Sequence, residues 1–413
     1  MLIEKDPKEL NYATKERTTG HRLDVLHVTQ PTEAGVAACI DSIIQSQINE
    51  GLNVGIACPP NDSFTNRLRA HGCLVYRWQA NRKPHKGIIQ ESLTLNRIIS
   101  ETNPNVVHLH SSKAGLIGRF VLRKSRLTIF QPNGWSFHVG GRILQSILRK
   151  YEIFAAKYWT DKIISVSAGE SREIQSHLNP DKICIIPNGI CLEKWDRINY
   201  TKPEARKLLQ LPNDAKIAVV VSRVSYQKAP DLLLAAWPEI KSQVPNSMLV
   251  WAGDGPLLNE MRMRSASDPS VLFTGPTDNP RLFFSAGDVT VLPSRWEGHS
   301  ISMLESLATG RPIVCTDVNG AEDTITNGCG AIIPKNNKSQ LIESVTQFLS
   351  QSENQLHAQS KACKKRVTQH FDTKLTHKRM HDLYSELINA KAQHSNVSNA
   401  KNQKSDLPSG TSI

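Results

Sequence analysis

The chain has 413 residues, 39% apolar and 21% charged, a globular composition at two-domain length that excludes an intrinsically disordered protein. Its net charge of +12 favours anionic partners, while its eight cysteines show neither CxxC nor Cys/His spacing, against a zinc module or disulfide framework. No apolar run approaches membrane-spanning length and residues 1–20 carry no signal pattern, so a soluble, cytoplasmic protein is expected.

Residues 1–20 read as a flexible N-terminus. An apolar run at 23–28 predicts the first strand. A helix follows, with Val36, Ile40, Ile43, Ile44 and Ile48 on one stripe, then a strand at 54–58. Gly35 lies in the first turn of this βαβ unit. It either lets backbone approach a phosphate or sugar or simply serves the turn, and no GxGxxG fingerprint surrounds it. Further strands are predicted at 74–76, 106–109, 127–130, 163–166 and 184–186. Three strand ends carry polar clusters expected of a cleft rim: His108 and His110 with Ser111, Ser112 and Lys113; Asn133 and Gly134; Asn188 and Gly189.

Residues 192–215 turn charged, which places a domain boundary there, with one domain over 21–195 and another over 196–370. A second strand series is predicted at 217–221, 248–251, 271–273, 289–292, 313–315 and 331–333, with helices between, notably 230–242. Strands alternating with helices argue for two α/β domains with parallel, doubly covered sheets. Arg223 and Lys228 follow the first strand of the second domain. There they suit a phosphate, as fork and point charge, or form a solvated basic loop. Gly253-Asp254-Gly255-Pro256 reads as turn chemistry.

The central stretch begins after Pro293. A loop carries Glu297, Ser300 reads as an N-cap, Glu305 lies inside the helix and Gly310 ends it. Free N–H groups around His299, Ser300 and Ile301 can hold an anion, while carboxylates alongside accept hydroxyl hydrogens. A nucleotide-sugar offers both groups. The plainer alternative is one exposed and one loop glutamate. A last helix is predicted over 371–390, with Leu375, Met380, Leu383 and Leu387 as apolar positions. Residues 391–413 read as a disordered tail.

Assembled in order over residues 22–388, these motifs resemble the retaining glycosyltransferases of family 4: Arg223 with Lys228, Glu297-Gly298 with Glu305, Ile186 to Ile190, the Gly253 turn, Phe273-Thr274-Gly275, and His108 to Gly115. The resemblance implies a GT-B fold, two Rossmann-like domains facing across a cleft, with the last helix crossing back to the first domain. It implies a sugar transfer from a UDP- or GDP-linked donor to a glycan or lipid-linked hydroxyl, in polysaccharide or glycolipid biosynthesis, without cofactor or metal. Arg223 and Lys228 would neutralise the leaving diphosphate and Glu297 would contact the transferred sugar. Glu305 would hold the ribose, Gly298, His299, Ser300 and Ile301 would lie by phosphate and sugar, and Gly35 would close the first-domain side. Family members often carry a histidine where Asn133 stands, and glycine where Ala229 stands. His110 and His138 are nearby imidazoles that could replace that histidine, so Asn133 and His110 are the acceptor-side candidates.

Arg119, Arg123, Lys124, Arg126, Arg142, Arg149 and Lys150 form a basic set, accompanied by Ile143, Leu144, Ile147 and Leu148. One reading is peripheral docking at the inner, anionic membrane face; the other is a solvated basic face over core residues. A nucleotide-sugar epimerase of the same fold and a basic nucleic-acid-binding protein are the competing functions. The latter lacks zinc spacing, basic-region heptads and aromatic RNA-binding runs.

Overall fold

Every predicted strand is present. In the computed structural model, which describes residues 22–81, 87–197, 199–326 and 328–405 (side chains to 390), β1 (Val25–Thr29), β2 (Val54–Cys58), β3 (Leu74–Arg77), β4 (Val106–His110), β5 (Leu127–Gln131), β6 (Lys162–Ser165) and β7 (Ile183–Ile185) form one sheet. β8 (Lys216–Val221), β9 (Ser247–Ala252), β10 (Val271–Gly275), β11 (Val289–Leu292), β12 (Ile313–Thr316) and β13 (Gly330–Ile333) form the second. The strand orders are β3-β2-β1-β4-β5-β6-β7 and β10-β9-β8-β11-β12-β13, with parallel pairing throughout. β1, β2, β4, β11 and β12 are buried along their whole length, as strands covered on both faces must be.

The strand order reverses at β1/β4 and again at β8/β11. Crevices open beyond the carboxyl ends of such strands, so the chains leaving β1, β4, β8 and β11 are placed to build a site. Gly35 follows β1, Ser111 follows β4, Arg223 and Lys228 follow β8, and Glu297 follows β11.

The helix Thr373–Ser405 returns to the first domain. Its Met380, Leu383 and Tyr384 share a core with Val25, Ile43, Val106 and Ile129. This helix continues to Ser405, past the predicted end at 390. Ala390, Lys391, Ala392 and Gln393 are good helix formers, and a lack of apolar residues does not itself stop a helix. Residues 1–20 and the last eight residues of the predicted tail lie outside the described residues. The helix Leu192–Asp196, at the predicted junction, packs Leu192 and Trp195 against the second core. Among the described residues no helix is long and apolar enough to cross a membrane.

Candidate active site

The loops after β8 and β11 are stitched together. Arg295 N–H donates to Gln227 O (2.8 Å), Gln227 Nε2 donates to Trp296 O (2.9 Å), and Ser302 Oγ donates to Val221 O (2.7 Å). Lys228 ends a short 3-10 turn, and its Nζ is ion-paired with Glu297 Oε1 where both side chains are largely buried. Gln227 Nε2 also reaches Glu297 Oε2 at 3.4 Å, while its Oε1 lies 3.4 Å from Arg223 Nη2. Arg223, Lys228 and Glu297 therefore converge through Gln227. Ala229 adopts φ +51°, the left-handed conformation that explains why glycine suits this position.

The helix Ile301–Thr309 starts at Ser300 in extended conformation, with no side-chain cap on its first-turn N–H groups. The N–H groups of Ser300 and Ile301 and the helix dipole favour an anion there. Gly310, left-handed at φ +78°, ends the helix as predicted.

Glu305 lies one turn inside that helix. It keeps partial solvent access, yet surrounding protein pushes its carboxyl up to about 8. That combination fits the floor of a cleft. Across it stands the helix Ala34–Asn49 of the first domain, whose Cys39 thiol is pushed up to about 12, chiefly by burial and secondarily by Glu305. A Cβ on Gly35 would lie 3.1 Å from Ile301 Cγ1, so the two helix starts meet there and leave little room for a side chain.

The first-domain rim closes against Gly298. A Cβ there would stand 2.8 Å from Gly134 N and 2.9 Å from Asn133 C. Asn133, left-handed at φ +53°, exchanges side-chain hydrogen bonds with Gln131. Below it sits Glu170, a residue the sequence reading missed. Its carboxylate accepts from Gly134 N–H (2.6 Å) and Val166 N–H (2.8 Å), while burial pushes its carboxyl up to about 7. Ser167, three residues earlier, accepts from Glu170 N–H, a spacing that could have flagged the helix start.

His299 and His110 stand differently from their expected places. The His299 ring is buried, accepts from Asn188 N–H at Nδ1 (3.1 Å) and faces Thr324 Oγ1 from Nε2 (2.9 Å), and burial holds its pKa down to about 4. The ring locks two loops together, and Asn188 Nδ2 also donates to His299 O (3.0 Å). His110 is buried against His27 and His108, since His108 and His110 share one face of β4; its ring is not presented to an acceptor. His138 pairs with Glu173 at 3.1 Å.

The Gly253 turn does more than reverse the chain. A Cβ on Gly253 would stand 1.9 Å from Ser222 O, and one on Gly255 would stand 2.3 Å from Val224 O. Both glycines press against the backbone on either side of Arg223. Away from these groups, a polar cavity of about 320 Å³ lies between the helix Ala168–Arg172 and residues 317–323. Domain-bridging contacts run beside it: Ala168 N–H to Asp323 (2.8 Å), Arg172 to Glu322 (2.8 Å) and Asn319 to Glu173 (2.9 Å).

Two Rossmann-like domains with cationic and carboxylate groups gathered at their facing strand ends define the class as GT-B. Residues 33–194 match the family described as Glycosyltransferase Family 4, and residues 201–366 match Glycosyl transferases group 1. The chain belongs to this glycosyltransferase family. It is 27% identical over 391 residues to the Escherichia coli UDP-Gal:alpha-D-GlcNAc-diphosphoundecaprenol alpha-1,3-galactosyltransferase, covering 90% of this chain and 99% of that one. Sucrose-phosphate synthase from Thermosynechococcus elongatus shares the fold at TM-score 0.75 and 18% identity, over 89% of this chain and 100% of that one. Anabaena HepE in complex with UDP and glucose does so at TM-score 0.74 and 15% identity, over 88% and 100%. The epimerase and nucleic-acid readings find no support in these comparisons.

Proposed function

We propose that this glycosyltransferase is a retaining, metal-independent hexosyltransferase. It takes the sugar from a UDP- or GDP-linked donor and passes it to a glycan or lipid-linked hydroxyl in glycolipid or polysaccharide biosynthesis. The observation that carries this reading is the meeting of Arg223, Lys228, Glu297 and the helix start that leads to Glu305, with Gly35 across the cleft. Similarity to a UDP-galactose-dependent transferase over nearly the whole chain favours a UDP-sugar and a diphosphate-lipid acceptor.

In this mechanism the donor diphosphate lies along Arg223, Lys228 and the N–H groups of Ser300 and Ile301, and the ribose hydroxyls donate to Glu305. Incoming phosphate draws Lys228 from Glu297, which frees the carboxylate to accept hydroxyls of the transferred sugar. The sugar–phosphate bond breaks, an oxocarbenium-like species forms, and the acceptor hydroxyl attacks from the face the diphosphate leaves. The departing phosphate takes the acceptor proton. Stabilising that leaving group supplies most of the rate, the work a divalent cation does in other transferases.

The helix Arg142–Tyr158 supports membrane docking. Ile143 is 81% exposed and Ile147 58%, and both lie near Arg142 and Lys150. Arg119 does not belong to this face: it is buried against Glu152 at 2.5 Å. Arg149 is held over the Phe137 ring at 4.1 Å. Co-sedimentation should recover the protein with anionic but not neutral liposomes, and Ile143→Asp/Ile147→Asp should abolish the difference; equal recovery on both lipids would refute docking.

A panel of UDP- and GDP-sugars, with and without polyprenyl-diphosphate-linked N-acetylglucosamine, tests the activity. Acceptor-dependent nucleotide release is expected, with an α-linked product by NMR from an α-linked donor. A β-linked product would overturn retention, and full activity only with added divalent metal would overturn metal independence.

A further inference from the structure

β1 and β4 set three histidines side by side inside the first domain. His27 pairs in register with His108, and His110 follows two residues on, so all three rings leave the same face of the sheet. One ring nitrogen of each lies within 4.8 Å of the others. His27 and His108 are 0% exposed and His110 is 1% exposed. A pair at i and i+2 on one strand, with a third on the paired strand, offers three imidazoles to one point, the ligand set of three-histidine zinc centres.

The surroundings fit that reading. Gln47 Oε1 lies 2.8 Å from His27 Nε2 and accepts its proton, which leaves His27 Nδ1 with a lone pair. That Nδ1 faces His110 Nε2 at 2.9 Å. The Tyr384 hydroxyl lies 2.6 Å from His108 Nδ1. Partners of this kind, holding the far nitrogen of a ring, orient metal-bound histidines elsewhere. His108 Nε2, the ring nitrogen that Tyr384 does not touch, is buried without a hydrogen-bond partner among the described residues. So is Oε1 of Gln131, the residue in register with His110. An ion among the three rings would engage His108 Nε2 and Gln131 Oε1, which lie close to each other.

We propose that His27, His108 and His110 bind a late first-row divalent ion, with zinc the best fit, at a site separate from the donor groups. On binding, the proton on His110 Nε2, which faces His27 Nδ1, moves to His110 Nδ1, so the ring stays neutral and both facing nitrogens hold the ion. Tetrahedral Zn–N bonds of about 2.0–2.1 Å require about 3.3 Å between ligand nitrogens, so this pair opens by only a few tenths of an ångström. Gln131 Oε1 or a water fills the fourth position. Neutral imidazole is the form that ligates metal. Through Tyr384 the ion would tie the crossing helix to the first sheet, a structural role independent of the transfer reaction.

The test uses untagged full-length protein expressed in cobalt-supplemented medium, because a sealed site fills during folding. Elemental analysis should find about one cobalt per chain, with the intense visible bands of tetrahedral Co²⁺. Protein made with zinc should melt at a higher temperature than protein made under chelation. The variants His108→Gln and His110→Gln should lose the ion, whereas replacing His71, His177 and His357 together should retain it. Wild-type protein without stoichiometric metal or without tetrahedral bands would overturn the proposal whether or not the variants fold. Equal metal content in folded His108→Gln would overturn it as well.

Discussion

Donor affinity should depend steeply on pH, and Glu305 should set the slope. Its carboxyl is pushed up to about 8, so roughly one molecule in ten is ionised at pH 7 and one in a hundred at pH 6. Ribose hydroxyls donate more strongly to a carboxylate than to a neutral acid. If only the ionised form grips the ribose, the dissociation constant for UDP-galactose falls about fiftyfold from pH 6 to pH 8, about 2 kcal/mol. The sign follows from the raised value: the neutral form dominates below 8, and binding expels a proton. The donor diphosphate diester has no group titrating in this range. Glu170, pushed up to about 7, does titrate there, but it holds Gly134 and Val166 N–H groups, so Glu305→Gln separates the two. Isothermal titration at pH 6, 7 and 8, in buffers of different ionisation enthalpy, reads both affinity and protons released. Glu305→Gln should bind more weakly at pH 8 and lose most of the slope. A flat wild-type profile, or an unchanged slope in the variant, would refute the reasoning.

Lys228→Ala should lower kcat by roughly 10²–10³, as loss of one preorganised leaving-group donor does, with a smaller change in donor KM; steady-state kinetics at saturating acceptor would check this. Gly253→Ala forces a Cβ to 1.9 Å from Ser222 O at φ +150°, so Arg223 must shift. Urea unfolding should show a loss of about 1–3 kcal/mol or more, and kcat should fall beyond what stability explains. Asp288, 1% exposed, accepts from Lys202 (2.7 Å), Arg206 (2.8 Å) and Ile217 N–H (2.7 Å). Burial alone would raise its pKa, but these donors hold the carboxyl below its ordinary value, so its contribution to stability is lost as pH falls below about 4. Asp288→Ala strands the buried Arg206 and should cost about 3–5 kcal/mol by chemical denaturation.

What could be read from the sequence was local. Each strand is a short apolar run ended by Gly, Pro or polar residues, so all thirteen were legible. The grouping of Arg223, Lys228 and Glu297 was legible because these residues lie in two short stretches, 222–229 and 294–305, each following a strand at the second switch point. Contacts across distant segments were not legible. His299 is pinned by Asn188, 111 residues away, and so looked like a ligand rather than a lock between loops. Glu170 reaches back 36 residues to Gly134. His110 stood in a polar strand end, but the two-residue period of β4 turned it inward with His108. The Gly253 turn was read correctly as a turn, yet its contact with the Arg223 loop depends on the β8–β9 pairing.

The account rests on where the nucleotide sits. A crystal structure of the protein with UDP tests that directly. It should place the diphosphate against Arg223, Lys228 and the N–H groups of Ser300 and Ile301, with both ribose hydroxyls on Glu305. Density for UDP elsewhere, such as in the polar cavity beside Arg172 and Asn319, with Glu305 untouched, would contradict it.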